Sequence, residues 1–381
     1  MKRITKFILI VLFALTVSLS FSACQEVIPF GVRLSYINTG LSHNLAIDAD
    51  GNIWAWGNDR LSVAHQHTGK IGDGNTIDHS SPIQITQNKQ FYSVFAARNH
   101  SIALDKNGGL WTWGLNDYGQ LGNGIANNIR VPTQILNDTQ FLMISYNTAI
   151  DINNNLWTWG ANNNGQLGNG SSVNHSSNPM QIANDNSFLM VSSNGNHSLA
   201  IDINGHLWAW GLNNRGQLGD GTTINRFYPV QIMSSKTFSY ISAGGELSLA
   251  IDSQGFLWVW GFNRDGQVGD GTTITRINPV QIMQSVQFIS ISAGSGYNLA
   301  LDKDGNIWAW GNNHSGNLGD GTTRNRNIPV MVEIDANIYS ISAGTLLSFA
   351  IDTDGNLWAW GSNQGRFGNG TNRASRNPIM I

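Results

Sequence analysis

Acidic pairs ahead of a glycine recur in the chain: Asp48-Ala-Asp50-Gly51, Asp302-Lys-Asp304-Gly305 and Asp352-Thr-Asp354-Gly355. Two carboxylates at this spacing could open a calcium loop. Such a loop also needs a third acidic or amide ligand before its glycine and a distal glutamate, and neither is present. Asp or Asn before Gly at a hairpin tip is explained by backbone geometry, so these residues read as turn formers. His65-Gln66-His67, with His79 further on, could share a metal if the segment is extended, but no third ligand stands out. Arg226, Arg276 and Arg326 each lie three residues before a proline and could form an anion-binding ring. Recurrence at one register points instead to a structural hydrogen bond. There is no Gly-x-Ser-x-Gly elbow and no phosphate loop. No catalytic residue, metal or cofactor is assigned, and the reading is a non-enzyme. A Ser-His-Asp set assembled from distant loops is the remaining route to an enzyme.

The elements that would position these residues follow from the tryptophans. The frame Trp-x-Trp-Gly occurs seven times and uses all 14 of them: Trp54/Trp56, Trp111/Trp113, Trp157/Trp159, Trp208/Trp210, Trp258/Trp260, Trp308/Trp310 and Trp358/Trp360. From the fourth pair onward the spacing is 50 residues, and the earlier gaps are 57, 46 and 51. A fixed period of this length marks a repeat architecture. One repeat reads as four short strands: Pro229–Ile232, Phe238–Gly244, Leu249–Asp252 and Phe256–Gly261, bounded by turn formers. Period 2 puts both tryptophans of a pair on one face of their strand, where they can pack on a neighbouring sheet.

The expected fold is all-β: a seven-bladed β-propeller of four-stranded blades. Three links per repeat are short enough for hairpins, and the fourth, Gly261 to Asn278, is long and glycine-rich. Hairpins join neighbouring strands within a sheet, so the long link is expected to cross between blades and each blade to start at its proline: Pro82, Pro132, Pro179, Pro229, Pro279 and Pro329. Pro378 then opens a last strand with no blade to follow it, and the N-terminal repeat supplies three strands without a fourth. On this phase the ring closes by three N-terminal strands plus one C-terminal strand.

Only 12% of residues are charged and the net charge is -3, which gives no sign of a nucleic-acid partner. The single cysteine, Cys24, excludes an intrachain disulfide framework. It follows a basic start (Lys2, Arg3, Lys6), an apolar run from Phe7 to Val17, and Phe21-Ser22-Ala23. This resembles a bacterial lipoprotein signal, with Phe21 where Leu is usual. The expected organisation is a signal segment 1–23, a short linker 24–32 and the propeller 33–381, with lipid on Cys24 anchoring an exported protein to a membrane.

The link after each tryptophan pair reads Trp-Gly-x-Asn-x-x-Gly-Gln-Leu-Gly-[Asn/Asp]-Gly, as from Trp113 to Gly124, Trp159 to Gly170 and Trp210 to Gly221. With an Ala-Gly-x-x-His-Ser-like stretch, it resembles the repeat of the regulator of chromosome condensation family over residues 33–381. The resemblance implies a seven-bladed propeller. The family histidine falls at His43, His100 and His197, whereas Leu247, Tyr297 and Leu347 replace it, so these histidines read as groups that satisfy a turn. The third repeat lacks about four residues there. The family's founding activity, nucleotide exchange on a nuclear GTPase, does not suit an exported chain, and no large insertion stands out to act as a wedge.

Function is then sought where the copies differ. The Ala-Gly turns and long links should emerge on one face and the Asp-Gly turns on the other. The link side carries the least repeated residues: Asp59, Arg60, Asp117, Tyr118, Arg215, Phe262, Arg264, Asp265, His314 and Arg366. Aromatic and arginine side chains suit protein recognition. The expectation is a monomeric propeller that binds a protein partner through this face. The alternatives are a GTPase exchange factor or a secreted, lyase-like enzyme.

Overall fold

Apolar residues alternate with small or polar ones over runs of about six residues, which commits one side of each run to burial. The computed structural model describes residues 32–60, 68–86, 88–171, 173–182 and 186–381. There the runs form seven antiparallel sheets of four strands each. The first sheet is β1 (Leu34–Thr39), β2 (His43–Asp48), β3 (Ile53–Gly57) and β4 (His79–Gln84), in that spatial order. The last is β25 (Ile338–Ala343), β26 (Leu347–Asp352), β27 (Leu357–Gly361) and β28 (Ser375–Met380). The expected signal segment, Cys24, His65 and His67 lie outside the described residues.

Seven blades of four strands are as expected, but the phase is corrected. Each blade is one unbroken run of chain. The proline-bearing strand after the long link is the outermost strand of the same blade, and a short connector such as 283–287 crosses to the next blade. No blade is shared as three strands plus one, because the first and last sheets are each complete. The two chain ends still meet: β1 packs on β25 and β26, and Trp56 stands edge-on to Phe349 at 6.0 Å.

An asparagine keeps the link within its blade. Asn213 accepts the Leu218 amide at 3.0 Å and donates to the carbonyls of Thr222 and Ile224, each at 3.1 Å. This folds the link back from β15 (Leu207–Gly211) to β16 (Arg226–Ile232). Pro229 lies inside β16 rather than at its start, beside a register shift. On an outer edge strand its missing N–H breaks no ladder bond.

The core lies between blades. In one interface Leu199, Ile201 and Leu207 of the fourth blade pack on Phe238, Ile241 and Trp260 of the fifth. The tryptophans of a pair do share this interface, but unequally, where period 2 alone treats them alike. Trp360 is fully buried between the sixth and seventh blades, whereas Trp358 is half-buried at the margin of the same cluster. The second member of every pair repeats this: Trp56, Trp113, Trp159, Trp210, Trp260, Trp310 and Trp360 are all fully buried.

Each of these seven indole N–H groups donates to a carbonyl in the preceding blade's link. Trp113 reaches Lys70 and Trp159 reaches Gln120 at 2.9 Å, and Trp210 reaches Gln166 at 3.0 Å. Trp260 reaches Gln217 at 2.9 Å, Trp310 Gln267 at 3.0 Å and Trp360 Asn317 at 2.9 Å. The same bond closes the ring, from Trp56 to Arg366 at 2.8 Å. Truncating one such buried tryptophan should cost about 3–5 kcal/mol.

Inner strands are pinned in the same direction. Ser242 Oγ accepts the Ala293 amide at 3.0 Å, Ser292 the Ala343 amide at 2.9 Å, and Ser342 the Thr39 amide across the closure at 3.1 Å. The junction of blades two and three differs. Phe95 takes the serine position, and with the third blade's first turn shortened, Tyr146 meets Phe95 and His100 edge-on at 6.4 and 5.1 Å.

Candidate partner-binding face

Strand direction sorts the loops into two faces. On the turn face, the Asp-Gly hairpins meet the connectors of the next blade, as where the Phe288 amide donates to the Gly255 carbonyl at 2.8 Å. On the link face, the long links lie beside the first-hairpin turns, as where the Phe262 amide donates to the Glu246 carbonyl at 3.0 Å.

The turn face carries a repeated carboxylate. Asp302 Oδ1 accepts the amides of Asp304 and Asn306 at 2.9 Å, and its Oδ2 accepts the Trp308 indole N–H at 2.9 Å. The first tryptophan of each pair is thus held by the aspartate of its own hairpin, from Trp54–Asp48 to Trp358–Asp352. Burial alone would raise Asp302, but the Trp308 N–H and the turn amides outweigh it and hold the carboxyl below its ordinary value. In each calcium-like pair the first carboxylate, Asp48, Asp302 or Asp352, is thus occupied by its own hairpin.

The link face sorts the ten expected residues. Arg215, Phe262, Arg264, Asp265 and His314 are brought together over blades four to six. Arg215 lies over the Phe262 ring at 5.0 Å and 3.7 Å from Glu246, while Asp265 accepts from Asn312 at 3.0 Å and Asn325 at 3.2 Å. Arg264 and His314 are exposed. Arg60, Asp117 and Tyr118 are also exposed but stand apart on blades one and two.

Two of the ten are buried and leave the recognition surface. Asp59 is 0% exposed and takes the place of the link asparagine, accepting the Gly69 amide at 3.0 Å and the Ile71 amide at 3.3 Å. Burial raises its carboxyl, against the Gly69 and Ile71 amides and the charge of Lys70. Burial in turn lowers the Lys70 amine to about 8. Arg366 is 4% exposed at the ring closure. Its guanidinium donates to the carbonyls of Leu41 at 3.1 Å, Ser362 at 3.2 Å and Asn363 at 3.1 Å. Both align with scaffold positions, Asn213 in Trp-Gly-x-Asn and Gln217 in Gly-Gln-Leu-Gly, where the structure shows the change of residue type compensated inside the fold.

The arginine ring is structural, as its register implied. Arg226, Arg276 and Arg326 pair with Asp220, Asp270 and Asp320 of their own links at 2.6, 2.6 and 2.7 Å. The histidines are buried, and all three join blades rather than serve their own turns alone, His100 Nε2 through the Tyr146 carbonyl of the third blade at 3.4 Å. His43 Nε2 meets Ser101 Oγ, and His197 Nε2 meets Ser248 Oγ, each at 2.8 Å. Tyr297 reaches Ser348 in the same way at 2.8 Å. Burial lowers His100 to about 4 and His197 to about 3; it also puts His43 well below its ordinary value, with Lys70 and His100 adding to the effect.

A closed ring of seven blades, each tied to the next by an indole-to-carbonyl bond, is a repeat-type β-propeller. The pattern described as the RCC1-like domain matches residues 142–381, and the regulator of chromosome condensation (RCC1) repeat matches residues 107–146 and 92–120. The chain belongs to the RCC1-like domain family. It is similar to the ultraviolet-B receptor UVR8 of Arabidopsis thaliana, 28% identical over 51% of this chain and 45% of the receptor. It is also similar to the RCC2 homolog of Xenopus laevis, 33% identical over 29% of this chain and 21% of that protein. The matched part is thus less than half of either relative. Human WBSCR16 superposes with a TM-score of 0.74 at 20% identity, covering 84% of this chain and 88% of that one. Yeast RCC1 (Prp20), in its complex with Kap60, gives 0.74 at 18% identity over 96% and 89%. At these identities the two structures speak for the fold alone.

Proposed function

We propose that this chain is an exported, lipid-anchored, non-enzymatic propeller that binds a protein partner through its link face. The observation that carries the reading is the contrast between repeated and unrepeated positions. Trp–carbonyl, Trp–Asp and Arg–Asp bonds recur as the scaffold, whereas Tyr118 and Phe262 have no aromatic counterpart in the other links; Tyr118 and Arg264 are exposed and Phe262 half-buried, all on one face. A protein partner gains most from a few large side chains and arginines of this kind. Prp20p, of the same fold, is described by its binding to Gsp1p and histones, which favours a protein as the class of partner.

The test is affinity capture of the partner, followed by binding measurements on variants. Alanine at Tyr118, Phe262 and Arg264 should weaken binding at least tenfold with the melting temperature unchanged. Alanine at Lys106, Gln254 and Lys303 on the turn face should leave it within twofold. The reverse result would invert the assignment of faces. Faster nucleotide release from a small GTPase, or turnover lost on replacing one side chain, would support the exchange-factor or enzyme reading instead.

A further inference from the structure

The two faces differ in charge and in the kind of cation they use. Among the described residues the turn face carries thirteen carboxylates and five cations; the link face carries thirteen cations and nine carboxylates. Lys89, Lys106, Lys236 and Lys303 all lie on the turn face, and the link-face cations are arginines apart from the buried Lys70. Most link-face carboxylates already have partners. Asp220, Asp270 and Asp320 hold their arginines, Asp73 meets His79, Glu246 meets Arg215, and Asp265 is bound by two amides. Six arginines are left exposed with no carboxylate in salt-bridge distance among the described residues: Arg98, Arg130, Arg264, Arg324, Arg373 and Arg376.

Four of the six fall on the last three blades. Asp265, beside Arg264, reaches across to Asn312 and Asn325, and Asn325 follows Arg324 in the chain. Arg376 of the seventh blade lies over Gly316 in the sixth blade's link, close enough that a Cβ there would meet its Cγ at 2.9 Å. Arg264, Arg324 and Arg376 thus stand on successive blades along one arc, which continues through Phe262 to Arg215 on the fourth blade.

We propose that this arc is the docking surface for the acidic face of a partner protein, an inference that rests on the partner-binding reading above. Guanidinium groups bind carboxylates in a planar, two-pronged geometry that ammonium groups cannot match. Lysines on the link face would have served for solubility alone. A nucleic acid is the less suitable occupant: Asp265 and Glu246 lie among the arginines and would repel a strand charged at every step. A folded protein can place single carboxylates opposite single arginines and keep clear of the acidic positions. The acidic turn face would also disfavour docking in the inverted orientation.

The experiment compares charge reversals that change net charge equally. Full-chain protein carrying R264E, R324E and R376E is set against protein carrying R33E, K106E and K303E. Binding is measured to a twelve-residue glutamate-rich peptide, a lysine-rich peptide of the same length and a twelve-nucleotide single-stranded DNA. We expect the glutamate peptide to bind the parent, to weaken at least tenfold in the arginine set, and to stay within twofold in the turn-face set. Equal losses in both sets would mean net charge alone and overturn the proposal; so would tighter binding of the DNA or no binding of the glutamate peptide. With a captured partner the two readings separate. If Phe262→Ala weakens capture and the three reversals do not, the link face binds protein but the acidic partner is wrong. If neither matters, the link-face reading fails as well.

Discussion

Replacing Arg366 by alanine tests whether the ring closure is held by the guanidinium. The backbone carbonyl of residue 366 accepts from Trp56 and from Asn44, each at 2.8 Å, and the substitution leaves both bonds available. What is lost is three side-chain donations to the carbonyls of Leu41, Ser362 and Asn363. Bonds from a charged donor are worth about 1.5–3 kcal/mol each. The substitution also removes a desolvated charge and lets water reach the loops, so the net loss should be nearer 1 kcal/mol per bond, or about 3 kcal/mol. A domain of 150–250 residues shifts by about 2–4 °C per kcal/mol, and this larger ring should shift by less, giving a fall of roughly 3–6 °C. Gln217→Ala is the control at the same repeat position. Its side chain accepts the Arg215 amide at 2.8 Å and reaches Asn214 only at 3.4 Å, so its loss should be about 1–2 °C. Scanning calorimetry of both variants beside the parent gives the comparison. If Arg366→Ala melts no lower than Gln217→Ala, the guanidinium does not hold the closure and the reasoning fails.

Buried imidazoles should make the fold sensitive to acid. His100 and His197 have folded pKa values near 4 and 3, below the unfolded imidazole value. Their contribution is complete above about pH 6.5 and lost as pH falls toward 4, so urea-unfolding stability should decline across that window, and His197→Tyr, which copies Tyr297, should flatten the slope. Ser242→Ala leaves the Ala293 amide without its acceptor and should cost about 1 kcal/mol, while a neutral result would remove the inner-strand pins from the account. A circular permutant opened in the connector 234–236 keeps all seven blades whole and should melt near the parent; one opened at 264–265, within a link, should lose several degrees, and the opposite order would restore the discarded blade phase. Labelled fatty acid should appear on the parent and disappear in Cys24→Ala, and its absence from the parent would remove the lipid anchor but not the propeller.

The strands, hairpins and blade number were legible because each is fixed by local pattern. Alternation marks the strands, Asp-Gly and Asn-Gly mark the turns, and seven tryptophan pairs mark the copies. Blade phase was not legible by the same means. A long link suggests a change of sheet, yet connection length constrains only how far the chain can go. Asn213 and its equivalents fold the link back onto its own blade, and that role appears only when their bonds to Leu218, Thr222 and Ile224 are seen together. The prolines misled for a related reason. A proline at the start of a strand and one within an outer edge strand both lose no ladder bond, so Pro229 is compatible with either phase. The division of labour within a tryptophan pair was hidden too. Trp358 and Trp360 look alike in sequence, and only their partners, Asp352 of the same hairpin and Asn317 of the preceding blade, tell the local clamp from the bond between blades.

The candidate site shows where variation between copies stops being a guide. Asp59 and Arg366 are as divergent from their counterparts as Arg264 is, and sequence comparison between repeats ranks them alike. Their environments separate them. Asp59 sits among link amides near Lys70, so a change from amide to acid at one position accompanies a change from amide to amine at another. Arg366 bonds three carbonyls where the chain ends are joined, a junction with no equivalent elsewhere in the ring. Divergence there answers a need internal to the fold. Arg264, Arg324 and Arg376 have no such internal partner among the described residues, so nothing within the fold accounts for a charged side chain at these positions. A copy that departs from the repeat, reaches solvent and satisfies no group of its own chain is the observation that points to another molecule, and it selects fewer residues than divergence alone.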